Sequence, residues 1–387
     1  MPRTAPPTRP SATAATFALV ALVVAVAVGG LWWVQNKDQP SGSGDSSTAA
    51  ADEGDRPATG DDDRDDPADG GRGDGSDADP GLGETAEEIA AQDFPEDPRV
   101  LVISIDGLGS AWVSKSSTPT LADLLAQGAG TLNARTEVEK TVTLPNHTGM
   151  VTGLRVSARN GGHGVTWNET SERTVAPGTE SVFSAIDDAG GSSAVFAGKE
   201  KFEMWGRAWP GTIDQLEIDD DQPALVTEAV SDLLKDDHDL VFLHLAGPDS
   251  AGHHSGWGSR AYLDAVTEAD ADVDRVVSAI VADPDLAEEV VVIVTADHGG
   301  VPGSTHHSQR TQPENYTIPF VVWGPGITPG DLYARNPDYR DPGTRQPGYA
   351  GPQPVRNGDV ANLVTDLLGI DPVPGSRLNA DQDLDVD

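Results

Sequence analysis

Five β-branched residues in a row, Val290 to Val294, lead into Thr295-Ala296-Asp297-His298-Gly299-Gly300. The run is too short for an amphipathic helix and too uniformly apolar for a strand with one wet face. It reads as a strand buried on both faces, which demands a sheet covered by other layers on either side. The Asp297-His298 pair at its C-terminal end falls where open α/β sheets gather their ligands. Gly299 and Gly300 let the chain turn away without a side chain in the path.

The surrounding sequence supplies the rest of such a sheet. Val100 to Ile105 reads as a strand ending in Asp106-Gly107, and Thr118 to Ala126 as a helix with Pro119 at a tolerated early position. Ser181 to Ala189 is helical in pattern, followed by Gly190-Gly191 and a strand at Ala194 to Ala197. A helix at Pro223 to Leu234 precedes a strand at Leu240 to Leu245, and a long helix at Arg260 to Val281 precedes the opening strand. Ile318 to Trp323 forms a further strand, and Asp359 to Leu368 a late helix stopped by Gly369. Strands alternating with helices predict an α/β domain over residues 94–387. Its sheet is expected to be central and mostly parallel, with helices on both faces.

What precedes that domain is of another kind. Residues 1–12 are proline-rich and carry Arg3 and Arg9, and Phe17 to Val34 is an uncharged, mostly apolar run of 18 residues. With Trp32 and Trp33 near its end, it is expected to be a single-pass membrane anchor over 13–35, leaving residues 1–12 in the cytoplasm. A cleaved signal peptide, with Ala25-Val26-Ala27 at the cut, is the alternative, and would give a secreted protein. Residues 36–93 are rich in Asp, Gly, Ser, Ala and Pro, and read as a disordered acidic linker. The α/β domain is then expected to be extracytoplasmic.

The net charge is −38, which excludes a nucleic-acid-binding surface, since phosphate backbones call for Lys and Arg. It also means that an anionic substrate needs a local source of positive charge, for which bound metal is one candidate. The chain has no cysteine, so any metal is held by Asp, Glu and His.

Four clusters of polar residues sit at or near strand ends. Asp106 alone is as well explained by a turn or cap. In Lys140-Thr141-Val142-Thr143-Leu144-Pro145-Asn146-His147, Pro145 opens a short helical segment, so Thr143 lies just before a helix N-terminus. That is an anion-binding place, and also an ordinary position for an N-cap. Asp249 and His253 are four residues apart, so one helical turn or a compact loop aims both at one ion. Asp297 and His298 are followed by His306 and His307, close enough for a second histidine to return to the site.

Together these pieces resemble the alkaline phosphatase superfamily, most closely its type I phosphodiesterase and nucleotide pyrophosphatase branch. The matching segments, from Arg99 onward, include Ser104-Ile105-Asp106-Gly107, Thr143-Leu144-Pro145-Asn146-His147 and His163-Gly164-Val165. They continue in the same order with Pro248-Asp249, Gly252-His253, Asp297-His298-Gly299, Ile318-Pro319-Phe320 and Trp323-Gly324-Pro325-Gly326. The resemblance implies a site for two divalent metal ions, usually zinc. Asp249, His253 and a late histidine hold one ion; Asp106, Asp297 and His298 hold the other, with Thr143 as its further ligand. The late histidine is expected to be His307 rather than His306, from its distance to Tyr316-Thr317-Ile318-Pro319. Thr143 is then the nucleophile of a phosphate-ester hydrolase working through a phospho-threonine, and Asn168 binds a phosphoryl oxygen.

The substrate implied is a small phosphate ester. Nucleotide pyrophosphatases of this branch often carry an aromatic residue after the nucleophile, where this chain has Leu144. Lys199 and Lys201 resemble a Lys-x-Arg pair that binds the phosphate dianion in some threonine-dependent monoesterases, with Lys201 in place of Arg. An inward Lys199 therefore favours a monoester, and a solvated one is uninformative. Trp205 and Trp209 either line a substrate wall or pack internally. The competing functions are a sulfatase-like or phosphonate hydrolase, and a metal-dependent phosphotransferase or mutase acting on headgroups or sugars. A non-catalytic surface protein is a further one. Sulfatases normally use a modified Cys or Ser, whereas this chain has Thr143 at that place.

Overall fold

The structure is a computed structural model that describes residues 88–387 apart from 236–237 and 381–382. The expected anchor at 13–35 and all but the end of the linker at 36–93 lie outside the described residues. No helix among the described residues is long and apolar enough to cross a membrane. Ile89, near the end of that linker, is 3% exposed and packs on the core.

Eight strands form one sheet. They are β1 (Arg99–Ile105), β2 (Ala129–Arg135), β3 (Ser193–Ala197), β4 (Gln215–Ile218), β5 (Leu240–Leu245), β6 (Val290–Thr295), β7 (Thr317–Trp323) and β8 (Gly330–Asp331). The order across the sheet is β4-β3-β5-β1-β6-β7-β2-β8. The helices that matter for the site are α1 (Pro119–Gln127), α2 (Thr143–Thr152), α3 (Val182–Ala189), α4 (Gln222–Lys235), α5 (Gly247–Ser255), α6 (Arg260–Ala282) and α7 (Val360–Leu367). They form two groups, with α1, α4 and α5 packed around α6, and α2 and α3 packed around α7. Every residue of β1, β3, β5 and β6 is buried, as a strand between two covering layers must be.

The five strands from β4 to β6 are parallel. The sheet as a whole is mixed, because β7 runs antiparallel to both β6 and β2. The expectation of a mostly parallel sheet holds among the described residues, with β7 as the one reversed strand. Between β6 and β7 the only helix is the four-residue Pro313–Tyr316, far short of a crossover, so the chain returns beside β6 in the opposite direction. Strand β2, with the sequence AGTLNAR, carries no apolar alternation that would mark it beforehand.

Helix α1 is capped from outside its own sequence. Its N-cap residue Thr118 makes no capping bond to it. Instead Asp270, in the middle of α6 and 2% exposed, accepts from Thr120 N at 3.0 Å and Leu121 N at 2.9 Å. One carboxylate thus satisfies two free amides and pins α1 to α6. Replacing Asp270 with alanine is expected to lower stability by about 1–2 kcal/mol. The urea midpoint reads this directly; an unmoved midpoint would show that the cap is not stabilising.

Candidate metal centre

Because β3, β5, β1 and β6 are parallel neighbours, their C-terminal ends lie along one edge. Lys199 follows β3, Asp249 follows β5, Asp106 follows β1, and Asp297-His298 follows β6. Two close approaches make that edge compact. Gly107 adopts φ +78°, and a Cβ there would lie 2.9 Å from the Asp249 Cα. A Cβ on Gly300 would lie 2.1 Å from the Trp257 ring, so only glycine fits behind His298.

The side chains converge. Asp106, Asp297 and His298 are fully buried, and Asp249 and His307 are 3% exposed. Ligand atoms of Asp106, Asp297 and His298 lie within 4.8 Å of one another, and so do those of Asp249, His298 and His307. His298 Nε2 stands 3.1 Å from Asp297 Oδ2, 3.5 Å from Asp106 Oδ1 and 3.7 Å from Asp249 Oδ1. Asp249 Oδ1 in turn lies 3.5 Å from both His253 Nε2 and His307 Nε2. Asp249 and His253 share one turn of α5, so the four-residue spacing places both on one helix face.

Backbone carbonyls set the histidine tautomers. The Nδ1 atoms of His253, His298 and His307 lie 2.9, 3.0 and 2.6 Å from the carbonyl oxygens of Thr305, Gly299 and Thr141. A carbonyl only accepts, so each Nδ1 carries a proton, and each ring turns its Nε2 inward, bare whenever the ring holds one proton. The Nε2 atoms of His253 and His307 then face each other at 3.0 Å with a lone pair each. Two lone pairs at that distance call for a cation or a proton between them. His306, by contrast, is exposed, with its ring 6.5 Å from that of His253.

Electrostatics point the same way. Of the three buried carboxylates, two share the ammonium of Lys199, which reaches Asp106 Oδ2 at 2.6 Å and Asp249 Oδ2 at 2.5 Å. Burial alone lowers the Lys199 pKa, but the Asp106 and Asp249 carboxylates override it and raise it. Burial raises the Asp106 pKa, and Lys199 and His244 outweigh this and hold it well below the usual carboxylate range. Asp297 is pushed well above that range by burial and by repulsion from Asp106 and Asp249. Burial, then His298, bring His307 down to about 3, which keeps its imidazole neutral. Among the described residues, Asp106 Oδ1, Thr143 Oγ1, Asp249 Oδ1, Asp297 Oδ2 and His298 Nε2 are buried without a hydrogen-bond partner. Such orphaned atoms of ligand type, short of positive charge, fit divalent cations.

Thr143 is the first residue of α2, whose N-cap is Val142. It therefore lies one place inside the helix and not just before it, and it is not the N-cap. Around it, Asn146 accepts from Glu137 N and donates to the Lys140 and Val142 carbonyls. That side chain ties the first turn of α2 to the segment before it. Thr141 makes a reciprocal pair with His307, donating from Oγ1 to the His307 carbonyl at 2.6 Å while its own carbonyl receives Nδ1. Asn168 accepts from Leu144 N at 2.8 Å, so it stands at the start of α2 and occupies one of the helix-end amides. Trp205 is fully buried and Trp209 is 4% exposed in the core, so both pack internally.

Two contributors escaped the sequence reading. His244, alone among apolar residues in β5, reaches Asp106. Asn357 donates to the Ala296 and Asp297 carbonyls and lies 3.4 Å from Asn146, joining the ends of β6 and α2. A lone histidine in an apolar strand was a signal available beforehand; nothing in the sequence around Asn357 marked it.

A parallel sheet edge with Asp/His clusters beside a buried helix-start hydroxyl defines an alkaline-phosphatase-like architecture. The chain belongs to the type I phosphodiesterase / nucleotide pyrophosphatase family, whose sequence profile matches residues 100–316. It is similar to GPI ethanolamine phosphate transferase 1 of Emericella nidulans, 30% identical over 146 residues, or 36% of this chain and 15% of that protein. It is also similar to the 2,3-bisphosphoglycerate-independent phosphoglycerate mutase of Halobacterium salinarum, 32% identical over 162 residues, 39% of this chain and 26% of the mutase. The matches thus span a small part of these relatives' own length. Murine ectonucleotide pyrophosphatase / phosphodiesterase 5, an inactive form in complex with AMP, shares the fold. The TM-score is 0.55 at 16% identity, over 74% of this chain and all of that one.

Zinc titration of the metal-free protein is expected to give two sites. His307→Ala should weaken one by at least about 100-fold, beyond the usual cost of losing an outer partner, while His306→Ala leaves both intact. The reverse pattern would move the ligand to His306.

Proposed function

We propose that this chain is a two-metal enzyme that cleaves phosphate esters through a phospho-threonine at Thr143. The observation that carries the proposal is the set of unpaired buried atoms on Asp106, Asp249, Asp297 and His298, joined to the start of α2 by His147, whose Nδ1 lies 2.9 Å from the Thr143 carbonyl and 3.6 Å from Asp297 Oδ2. Asp249, His253 and His307 would hold one ion; Asp106, Asp297, His298 and Thr143 would hold the other. Zinc suits this set of nitrogen and oxygen donors. Bound there, divalent ions supply Lewis-acid charge and lower the pKa of a coordinated hydroxyl.

The chain's own residues then divide the remaining tasks. Thr143 Oγ1 gives up its proton and forms the new bond to phosphorus as the ester oxygen leaves and takes up a proton; water later breaks the Thr143–phosphate bond, its oxygen going to phosphorus and a proton restoring the hydroxyl. Asn168, already tied to Leu144 N, holds its amide nitrogen beside the start of α2 for a phosphoryl oxygen. Lys199 points inward, with one N–H beyond its two carboxylate contacts. Lys201 is half-buried and senses Lys199, Asp106, Asp249 and Asp297, yet makes no ion pair among the described residues. Two ammonium groups at one mouth match a monoester dianion better than a diester. Leu144 is 1% exposed, so it offers no stacking platform to a base.

A transfer reaction uses the same first half, with an alcohol in place of water in the second. The similarity to an ethanolamine phosphate transferase favours this variant on a lipid-linked or sugar acceptor. In either form the domain is proposed to work outside the cytoplasm, held at the membrane by residues 13–35.

The test is turnover of aryl phosphate monoesters and diesters with and without chelator, and with added alcohol acceptors. Thr143→Ala is expected to lose on the order of 10³-fold in kcat even at zinc concentrations that saturate both sites. Lys201→Met should raise KM for monoesters more than for diesters; equal effects would reject the dianion role. Absence of metal-dependent turnover on every substrate, with zinc bound, would sink the proposal.

A further inference from the structure

His244 lies in the middle of the sheet, in β5, opposite Ser104 of β1 and Ala197 of β3. Its ring is fully buried, edged by Phe202 at 4.5 Å and His147 at 4.9 Å between ring centroids. A histidine there has a desolvation cost that an apolar residue would not have, so its hydrogen bonds must account for it.

They are specific. Gly198 N, shared with the His244 carbonyl at 3.3 Å, approaches Nδ1 at 3.2 Å. A backbone N–H only donates, so Nδ1 is the bare nitrogen and the proton of the neutral ring sits on Nε2. Nε2 lies 3.0 Å from Asp106 Oδ2 and donates to it. That same oxygen receives Lys199 Nζ at 2.6 Å. Two donors fill Oδ2, and only Oδ1 is left unpartnered, 3.5 Å from His298 Nε2.

We infer that His244 is a positioning residue. By clasping Asp106 Oδ2 and Gly198 N at once, it selects Oδ1 as the ligand oxygen and registers Lys199 against it. The tautomer is the reverse of that in His253, His298 and His307, whose Nδ1 atoms carry the proton. Those three present a lone pair to the site, whereas His244 presents a donor to a carboxylate. It therefore acts through Asp106 and Lys199 and touches neither metal nor substrate. The inference rests on the proposed metal-dependent chemistry.

The experiment uses the full chain with zinc as the probe. His244→Phe keeps the ring shape and removes both nitrogens; His244→Gln restores a donor near the Nε2 position. The expected result is 10- to 100-fold weaker binding of one of the two zinc ions in the phenylalanine variant. A matching loss in kcat on aryl phosphate is expected with KM little changed, and the glutamine variant should recover most of both. A phenylalanine variant with native near-UV circular dichroism, wild-type zinc affinity and wild-type kcat would overturn the inference. Long-range ¹⁵N–¹H spectra of the histidines in the wild-type protein supply a readout that needs no variant. An Nε2–H tautomer at His244 supports the assignment, and an Nδ1–H tautomer overturns it. Failure of the wild-type protein to bind zinc, by contrast, strikes the proposed function itself.

Discussion

The structure depends on holding three carboxylates, Asp106, Asp249 and Asp297, inside one sheet edge, with the Lys199 ammonium paired to two of them. Charges buried without partners cost several kcal/mol each, so nothing assembles this way by default. Parallel pairing of β5, β1 and β6 delivers the three acids to one place, and the crossings through α-helical layers keep the strands beneath them dry. Lys199 compensates part of the charge, and the neutral histidines turn lone pairs toward what is left. The acids proposed to hold metal are the same groups that make the site costly to fold.

Backbone groups do much of the orienting. The carbonyls of Thr141, Gly299 and Thr305 fix three ring tautomers, and Gly198 N fixes a fourth in the opposite sense. Asn146, Asn168 and Asn357 tie the start of α2 to the loops around it. The Thr143 hydroxyl is thus presented by a frame of short polar links, and a small shift in any of them moves the proposed nucleophile relative to the acids. Such preorganisation is what a displacement at phosphorus demands of its surroundings.

Much of this was legible in the sequence for one physical reason: strands buried on both faces are continuous apolar runs, and their polar ends stand out. Val290 to Val294 with Asp297-His298, and Leu240 to Leu245 with Asp249, are instances. The position of His307 followed from spacing and resemblance, and the structure buries it while leaving His306 exposed. What was not legible depends on partners far away in the chain. Strand β2 is mostly small and polar and gains its identity by pairing with β7. The reversal of β7 follows from the absence of a crossover helix, which no local pattern announces. Thr143 entered the helix rather than capping it because Val142 took the extended N-cap conformation. Asn357 acts across the fold and leaves no local trace.

Phosphoryl transfer at Thr143 is the central claim, and trapping tests it most directly. The zinc-loaded protein is incubated with an aryl phosphate monoester, quenched in acid, digested and mapped by mass spectrometry. The expected result is a single phosphorylated peptide containing Thr143, with phosphate on that residue, absent when chelator is present and absent in Thr143→Ala. Metal-dependent turnover with no phosphopeptide at any quench time, or with phosphate on another residue, would contradict the assignment.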